Sequence, residues 1–307
     1  MLFLHNKVST FNLSTMKKFT IITILLLLTV LPVLPVEETV LSFPEGNTAG
    51  EIIELIIQKT GSKIIPNTVD VIKEGNPDTH VTGIVSCMFA TMKVLKEAVG
   101  KNCNLIVVHE PLYYNHLDDT KQLQNDPVFL EKQKYIRDHN LVIWRFHDYI
   151  HSMKPDGIMT GMAEKLQWNK YVVNNDLSRF AIPETTLQDL LKYLKGIFPE
   201  NAFYVIGKPD LKVSNIRFAP GAPGSQMHIR ILEDKNTDVL LAGESPQWET
   251  YEYIRDAVDQ GRKKAVIFLG HISSEQSGMK FCASWLKGFI SDIPVYYVES
   301  GPSFWSY

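Results

Sequence analysis

The 307-residue sequence lacks any concentration of charge of one sign. Its formal net charge is -3, and its 31 basic and 34 acidic side chains are spread along the chain. The one basic cluster, residues 262–264, follows a segment with helical spacing, where cations complement the carboxyl end of a helix. Because nucleic-acid binding relies on a basic face, this distribution argues against a nucleic-acid partner.

Cysteine is also scarce, with only Cys87, Cys103 and Cys282. An odd number of cysteines cannot pair completely within one chain. Each is flanked by apolar or helix-forming residues. We therefore expect three free, buried thiols that behave as small hydrophobic side chains rather than as ligands or nucleophiles.

Several common catalytic motifs are absent. The sequence has no G-x-S-x-G elbow, no Walker A loop and no G-x-G-x-x-G fingerprint. The glycine- and proline-rich segment 219–225 is not followed by Lys-Ser or Lys-Thr, so it is predicted to be a structural turn. These absences argue against a serine hydrolase of the elbow type, a P-loop enzyme and a dinucleotide-binding enzyme.

Residues 1–36 are predicted to lie outside the folded domain. Lys17 and Lys18 precede an apolar run, residues 19–31, which is typical of a secretory signal peptide; Met16 is then an alternative start after an upstream extension. The run is shorter than the roughly 20 apolar residues of a membrane span. No clear cleavage site follows, so a retained membrane anchor is the alternative. The expected location is extracytoplasmic, either periplasmic or secreted.

Residues 37–307 are predicted to form an α/β domain. In its first part, apolar strands alternate with segments of helical spacing, which implies a parallel sheet covered by helices. The predicted strands are 81–86, 105–108 and 141–146, with helices at 90–99 and 129–138.

A second α/β stretch begins near residue 183. Its predicted helices are 183–198, 249–259 and 275–289, and its predicted strands are 202–206, 213–218, 239–242, 265–269 and 295–298. The two stretches form either two lobes or one sheet with an insertion, and the junction falls between residues 170 and 235.

Polar residues that can bind metal follow the ends of predicted strands. They are His109-Glu110, His147-Asp148 with His151 close behind, Glu244, and His271 with Glu275. Because ligands bind at the carboxyl edge of an open α/β sheet, one edge is expected to bring these residues together. Imidazole and carboxylate ligands together suit zinc, manganese or iron. The alternatives are a surface His-Glu step, a hydrogen-bonded His-Asp pair, and a helix start capped by Ser273 or Ser274.

Four segments resemble the Nif-three-like dinuclear-metal proteins, often labelled GTP cyclohydrolase type 1, type 2. Segment 103–114, with its apolar strand followed by His-Glu-Pro-Leu, resembles the family's strand and His-His-Pro-Leu motif. Segment 269–278 resembles its Gly-His-x-x-x-Glu-x-x-Gly motif. Segments 90–98 and 240–244 resemble its preceding helix and its Thr-Gly-Glu strand end. The resemblance implies mixed or parallel sheets covered by helices, two adjacent divalent metals and a ring-shaped hexamer.

The resemblance also implies which residues bind metal. It carries the family's first His to His109 and its final pair to His271 and Glu275. Two positions differ from the family's pattern: Glu110 replaces the second His, and His151 replaces an Asp. The set still holds three imidazoles and two carboxylates, so we interpret the departures as a compensated exchange. His147 or Asp148 in place of His151 is the alternative.

The resulting hypothesis is a hydrolase of unknown substrate with two divalent metal ions, zinc, manganese or iron, that activate a water. Glu244 is the candidate general base, because it lies at the same strand edge without a ligand position of its own. The alternative is a non-catalytic, extracytoplasmic metal-binding or scaffold protein. The resemblance implies a homo-oligomer. It gives little support to the cyclohydrolase activity in the family's label, because an extracytoplasmic protein would not normally meet GTP.

Overall fold

The computed structural model describes residues 47–302 and 304. The helices are α1 Ala49–Lys59, α2 Met92–Gly100, α3 Pro127–Asp138, α4 Asp148–Ser152, α5 Gly157–Lys165, α6 Leu187–Ile197, α7 Ser225–Glu233, α8 Glu252–Asp259 and α9 His271–Lys287. The strands are β1 Ile72–Glu74, β2 Ile84–Cys87, β3 Leu105–Val108, β4 Val142–Arg145, β5 Val172–Val173, β6 Asp176–Thr186, β7 Tyr204–Ile206, β8 Lys212–Ala219, β9 Val239–Ala242, β10 Ala265–Phe268 and β11 Val295–Tyr297. The predicted signal or anchor, residues 1–36, lies outside the described residues.

The first sheet has five strands in the order β1-β4-β3-β2-β11. β2, β3, β4 and β11 run parallel, and β1 joins β4 as an antiparallel edge. Every residue of β2, β3 and β4 is buried. Helices cover both faces of such a sheet, which is why these strands read as unbroken apolar runs.

The second sheet has six strands in the order β5-β6-β8-β9-β10-β7. Its centre, β8-β9-β10, is parallel, and β7 and the β5-β6 ribbon pair antiparallel at its two sides. The chain thus builds two mixed sheets. The prediction of mixed or parallel sheets covered by helices is confirmed. The prediction that one sheet edge brings the metal-binding residues together is wrong, because the strands that precede these residues divide between two sheets.

Helix α9 connects the two sheets. It follows β10 of the second sheet, yet its buried residues Met279, Cys282 and Leu286 pack in the core of the first sheet. The Ser86 hydroxyl of β2 donates a hydrogen bond to the Met279 carbonyl at 2.8 Å. The amino-terminal end of α9 is therefore held by the second sheet and its body by the first.

Helices α5 and α9 pack against each other at two glycines. A Cβ on Gly161 would lie 2.3 Å from the Ser277 carbonyl oxygen, and one on Gly278 would lie 2.5 Å from the Ile158 Cα. Real Cβ atoms do not approach backbone so closely, so larger residues would force the helices apart. This contact positions α5 and the segment that precedes it.

Several predicted boundaries are wrong. The prediction that a helix opens at residues 183–186 fails because these residues belong to the long strand β6, and Thr186 caps α6 by accepting a hydrogen bond from the Asp189 amide. Helices α5 and α7 have no counterpart among the predicted elements. Helix α9 begins at His271 after Gly270, so neither Ser273 nor Ser274 is its N-cap. Tertiary pairing with β8 overrides the helical propensity of the β6 segment.

The described residues confirm that the three cysteines are buried and free of disulfides. Within the same residues, no helix combines the length and apolar character that crossing a membrane requires.

Candidate metal centre

His109 and Glu110 follow β3 and stay in register with the first sheet. Their amides donate to the carbonyls of Cys87 and Met88 at 3.2 and 3.0 Å. His109 is fully buried, and its Nδ1 lies 3.2 Å from the Phe146 carbonyl oxygen. Because this contact fixes Nδ1 as the donor, Nε2 carries the free lone pair. Burial, with smaller effects from His151 and His147, holds the pKa of His109 well below its usual range, so the ring is neutral.

His271 and Glu275 lie one turn apart at the start of α9. As predicted from their spacing, they share a face: His271 Nε2 is 3.1 Å from Glu275 Oε2. Gly221 leaves room for the Glu275 carboxylate, since a Cβ at Gly221 would lie 2.5 Å from Oε1. Gly221 also has a φ of +62°, which strains other residues. Its amide donates to the Ser274 hydroxyl at 3.0 Å, which fixes this approach.

Three carboxylates surround His271, and we call this group the carboxylate half. Besides Glu275, Glu110 Oε1 lies 3.0 Å from Nε2 and Glu244 Oε1 lies 2.9 Å from Nδ1. Burial alone would lower the pKa of His271, but hydrogen bonds to Glu110, Glu244 and Glu275 raise it to about 12. Burial would raise the pKa of Glu110, yet the contact with His271 brings it to about 2.

Three imidazoles form the other side of the site, which we call the imidazole half. The rings of His109 and His147 stack at 4.7 Å between centroids, and His151 lies 5.2 Å from His109 and 5.0 Å from His147. Asp148 Oδ1 contacts His147 Nδ1, and Asp156 Oδ2 contacts His151 Nδ1, both at 2.9 Å. Each carboxylate holds Nδ1 as a donor and leaves Nε2 available, as is usual for metal-binding histidines.

The centre satisfies a chemical test for a cation site. His109 Nε2 and Glu275 Oε2 are buried. Among the described residues His109 Nε2 has no hydrogen-bond partner, and Glu275 Oε2 shares the Nε2 of His271 with Glu110. His109 Nε2 lies 3.8 Å from Glu275 Oε2 and 3.9 Å from Glu110 Oε1. An unpaired buried polar atom is costly, and a cation here would give His109 Nε2 a partner while binding the two carboxylates beside it.

Two groups of side chains have the spacing that can hold a metal ion. One consists of His109, His147 and His151, the other of His109, Glu110 and Glu275; within each group the ligand atoms lie within 4.8 Å of one another. His109 belongs to both groups. The buried His and Glu side chains can therefore hold metal.

Arg145 is a member of the site that sequence reasoning missed. It is fully buried on β4, its Nε donates to the His109 carbonyl at 3.2 Å, and its Nη2 lies 3.6 Å from Glu110 Oε2. The guanidinium thus supports both residues that follow β3. A charged residue inside the apolar run 141–146 was the available signal.

Two aspartates support the imidazole half and were also missed. Asp70 is buried, and its carboxylate accepts the amides of His147, Asp148 and Tyr149 at 2.8 to 2.9 Å. Asp156 caps α5 with one oxygen and contacts His151 with the other. Asp156 could have been noticed as a carboxylate five residues after His151, but nothing near residue 70 indicated its contact with α4.

The structure brings together the residues selected from the sequence, with differences in role. His109, Glu110, His271 and Glu275 form a connected group, and His151 joins it through His109. Asp148 binds His147, Thr68 and Val69, so its two oxygens are already engaged. Glu244 contacts the outer nitrogen of His271 and is 54% exposed.

These features define a class of protein. It is an α/β protein with two mixed sheets and, between the sheets, a buried cluster of His and Glu side chains that can hold metal. Residues 66–300 match the sequence profile of the family described as Duf34/NIF3 (NGG1p interacting factor 3). The chain belongs to that family, so the resemblance carried by its motifs is confirmed.

Three relatives illustrate the similarity. The chain is 24% identical over 225 residues to a GTP cyclohydrolase 1 type 2 homolog of Clostridium acetobutylicum, covering 70% of this chain and 80% of the relative. It is 22% identical over 244 residues to a protein of the same name from Buchnera aphidicola, covering 77% and 92%. The crystal structure of a Bacillus cereus protein related to NIF3 matches with a TM-score of 0.66 at 14% identity, over 86% of this chain and 100% of that one. This last likeness concerns the fold alone.

Proposed function

We propose that the protein is a hydrolase that depends on two divalent metal ions, held by His109, Glu110, His151, His271 and Glu275. The observation that carries the proposal is the buried, unpartnered Nε2 of His109 facing Glu110 and Glu275. A neutral imidazole aimed at two buried carboxylates favours a cation there.

The two halves divide the ligands between two positions. His109 and His151, with His147 beside them, supply one position. Glu110 and His271 supply the other, which His109 Nε2 also faces. Glu275 lies next to both His109 and His271, at 3.8 and 3.1 Å, so it is the group that can serve both positions. Divalent cations bound there would supply Lewis acidity toward a carbonyl or phosphoryl oxygen and activate water.

The surrounding residues hold the ligand imidazoles in a fixed orientation. Asp156 and Glu244 hold the Nδ1 atoms of His151 and His271. The contact of Glu244 with His271 supports a positioning role, because a carboxylate behind a ligand imidazole fixes its orientation and raises its basicity. The general-base role predicted for Glu244 remains a prediction.

The test combines metal analysis with a substrate screen. Purified protein is loaded with zinc, manganese or iron, its metal content is measured, and phosphate esters, amides and carboxylic esters are tested for hydrolysis. We expect a stoichiometry near two and metal-dependent hydrolysis of at least one class. Glu275→Gln should lose both, whereas Glu54→Gln, an exposed change on α1, should lose neither.

The screen also separates the proposal from its rival. Protein that binds metal stoichiometrically but hydrolyses no substrate class, and whose metal-free form loses its quaternary structure, would instead be a metal-stabilised scaffold. Failure to bind metal at all would remove both functions.

Location and assembly are further parts of the proposal. The basic pair and apolar run of residues 17–31 support an extracytoplasmic location, and the family resemblance supports a homo-oligomeric ring. Amino-terminal sequencing of the mature protein tests the first, and light scattering after gel filtration tests the second.

A further inference from the structure

A cavity of about 510 Å³ adjoins the metal centre. Glu110 contributes to its wall, and the cavity extends away from the centre between the start of α2, the loop after β3 and helix α3. Phe89, Met92, Tyr114 and Lys132 also line it. Because a residue of the candidate centre forms part of its wall, a molecule bound in this cavity would lie beside the ligands.

Lys132 is a buried cation without a carboxylate partner. The residue is 6% exposed, and its Nζ donates to the Leu112 carbonyl at 2.8 Å. Among the described residues no carboxylate lies within 4.0 Å of this ammonium, and the neighbouring Asp118 is paired with Lys73 at 3.1 Å. A buried charge that lacks a counter-ion is costly. Burial accordingly lowers the pKa of Lys132 to about 8.

A purely structural role accounts for only part of this arrangement. An ammonium has three donors, and fastening the loop through the Leu112 carbonyl uses one of them. The rings of Tyr113 and Tyr114 lie 5.8 and 5.5 Å from Nζ and attract its charge through their π faces, but they carry no opposite charge that would neutralise it. Donor capacity and positive charge therefore remain available at the cavity.

Aromatic side chains supply the rest of the recognition surface. Tyr114 is 60% exposed and has a φ of +61°, a conformation that is strained for an aromatic residue. Strain of this kind concentrates at ligand-binding sites. Phe89 lies at the other side, with its ring 6.2 Å from that of His271, so it borders both the cavity and the centre.

We propose that this cavity, which we call the Lys132 cavity, binds an anionic group carried on an aromatic or apolar body. The anion, a phosphate or a carboxylate, pairs with Lys132, and the body packs against Phe89, Met92 and Tyr114. The inference rests on the proposed function, since it names the substrate class of the same centre. Lys132 is a specificity-determining residue and no ligand of the metal.

The test measures binding of phenyl phosphate, benzoate and the uncharged benzyl alcohol by calorimetry, with both metal-loaded and chelator-treated protein. Lys132→Met should weaken binding of an anionic probe by about tenfold or more, because it removes a charge-assisted contact. Its affinity for benzyl alcohol should not change. The probe that depends on Lys132 identifies the anion as phosphate or carboxylate.

Two other variants complete the design. Lys134→Met, on the same helix but 69% exposed at its side chain, should bind every probe like the wild type. Tyr114→Ala should weaken binding of phenyl phosphate and benzyl alcohol several-fold and leave binding of inorganic phosphate, which is added as a fourth probe, unaffected. Since Tyr114 is exposed, this variant remains informative if Lys132→Met fails to fold.

Two outcomes would overturn the inference: folded Lys132→Met that binds both anions as the wild type does, or Tyr114→Ala that binds phenyl phosphate unchanged. Metal content is measured in the same samples. Anion binding that depends on Lys132 in a protein that takes up no metal would leave this inference standing while the hydrolase proposal fails. Normal metal-dependent hydrolysis, together with unchanged anion binding in Lys132→Met, would support the hydrolase proposal and overturn this inference.

Discussion

The two halves of the centre differ in charge although they share one site. In the imidazole half, His109 is neutral, and His147 and His151 each pair with one aspartate behind them. In the carboxylate half, three glutamates surround His271, whose pKa is raised to about 12 against the effect of burial. His109 in the imidazole half thus presents a free lone pair, whereas the carboxylate half holds a proton that a metal ion would have to replace.

If Glu110 and His151 bind metal as proposed, the difference between the halves gives a reason why their ligand types can be exchanged. Moving one carboxylate to the His271 side and one imidazole to the His109 side keeps the total donor set while separating it by type. Imidazoles suit zinc, iron and copper, and carboxylates suit harder cations. We therefore expect the two positions to differ in affinity and preference.

The largest effect should follow from changing Glu275, the carboxylate that lies beside histidines of both halves. Glu275→Gln takes one negative charge from beside both His109 and His271, so both positions lose a ligand. Loss of residues that merely support ligands costs 10- to 100-fold in affinity, so we expect a loss of at least about 100-fold here. Metal titration monitored by calorimetry measures it. Retention of one full-affinity metal would show that Glu275 serves a single metal position.

The next effect concerns pH and distinguishes the halves directly. Since the pKa of His271 is raised to about 12, the metal-free protein carries this proton at pH 7, and its contribution to stability is present below the unfolded pKa of 6.5 and is lost as pH rises toward 12. A metal ion at Nε2 must displace the proton, so affinity should rise about tenfold per pH unit above neutrality.

Calorimetry in buffers of different ionisation enthalpy measures the proton released. His271→Ala should abolish that release, while His139→Ala, at an exposed histidine remote from the ligands, should preserve it. Release that is unchanged in His271→Ala would assign the proton to another group.

Changes to the carboxylates that hold the ligand imidazoles should weaken metal binding by an intermediate amount. Asp156→Asn alters the partner of His151, and Glu244→Gln alters the partner of His271. Each should weaken metal binding about tenfold, at the lower end of the range for such partners. Only Glu244→Gln should lower the pKa of His271 as well, measured by NMR titration of the metal-free protein. A loss of activity in Glu244→Gln without any change in metal affinity or in that pKa would instead support the general-base role.

The smallest expected effect is the coupling between the exchanged residues. Glu110→His and His151→Asp should each weaken metal binding, and the double variant should recover part of the loss. The coupling between residues of one network is about 1 kcal/mol. Affinities across the cycle of four proteins measure it. Strict additivity would mean that Glu110 and His151 act independently.

Much of the site could be predicted from the sequence because strand ends in α/β proteins carry function. The apolar runs before His109, His147, Glu244 and His271 are short, fully buried strands, and each residue follows its strand as expected. Spacing alone placed His271 and Glu275 on one helical face. The family motifs then selected five residues, four of which form directly connected contacts.

Other parts could not be predicted because they depend on contacts that are distant in sequence. Strand β6 was missed since its polar, half-exposed sequence lacks a clear alternation and is stabilised by pairing with β8. The Asp70 carboxylate accepts a hydrogen bond from the amide of His147, which is 77 residues away in the chain. Helix α5 carries little amphipathic signal because it packs between two cores.

The sequence by itself determined the chemistry of this protein: which strands are buried, which imidazoles and carboxylates follow them, and which family the chain belongs to. Only the tertiary structure decided that these residues meet between two sheets rather than at one edge. The physical reason lies in α9, which leaves the second sheet and buries its apolar face in the core of the first. That packing carries His271 to Glu110, 161 positions away in the chain.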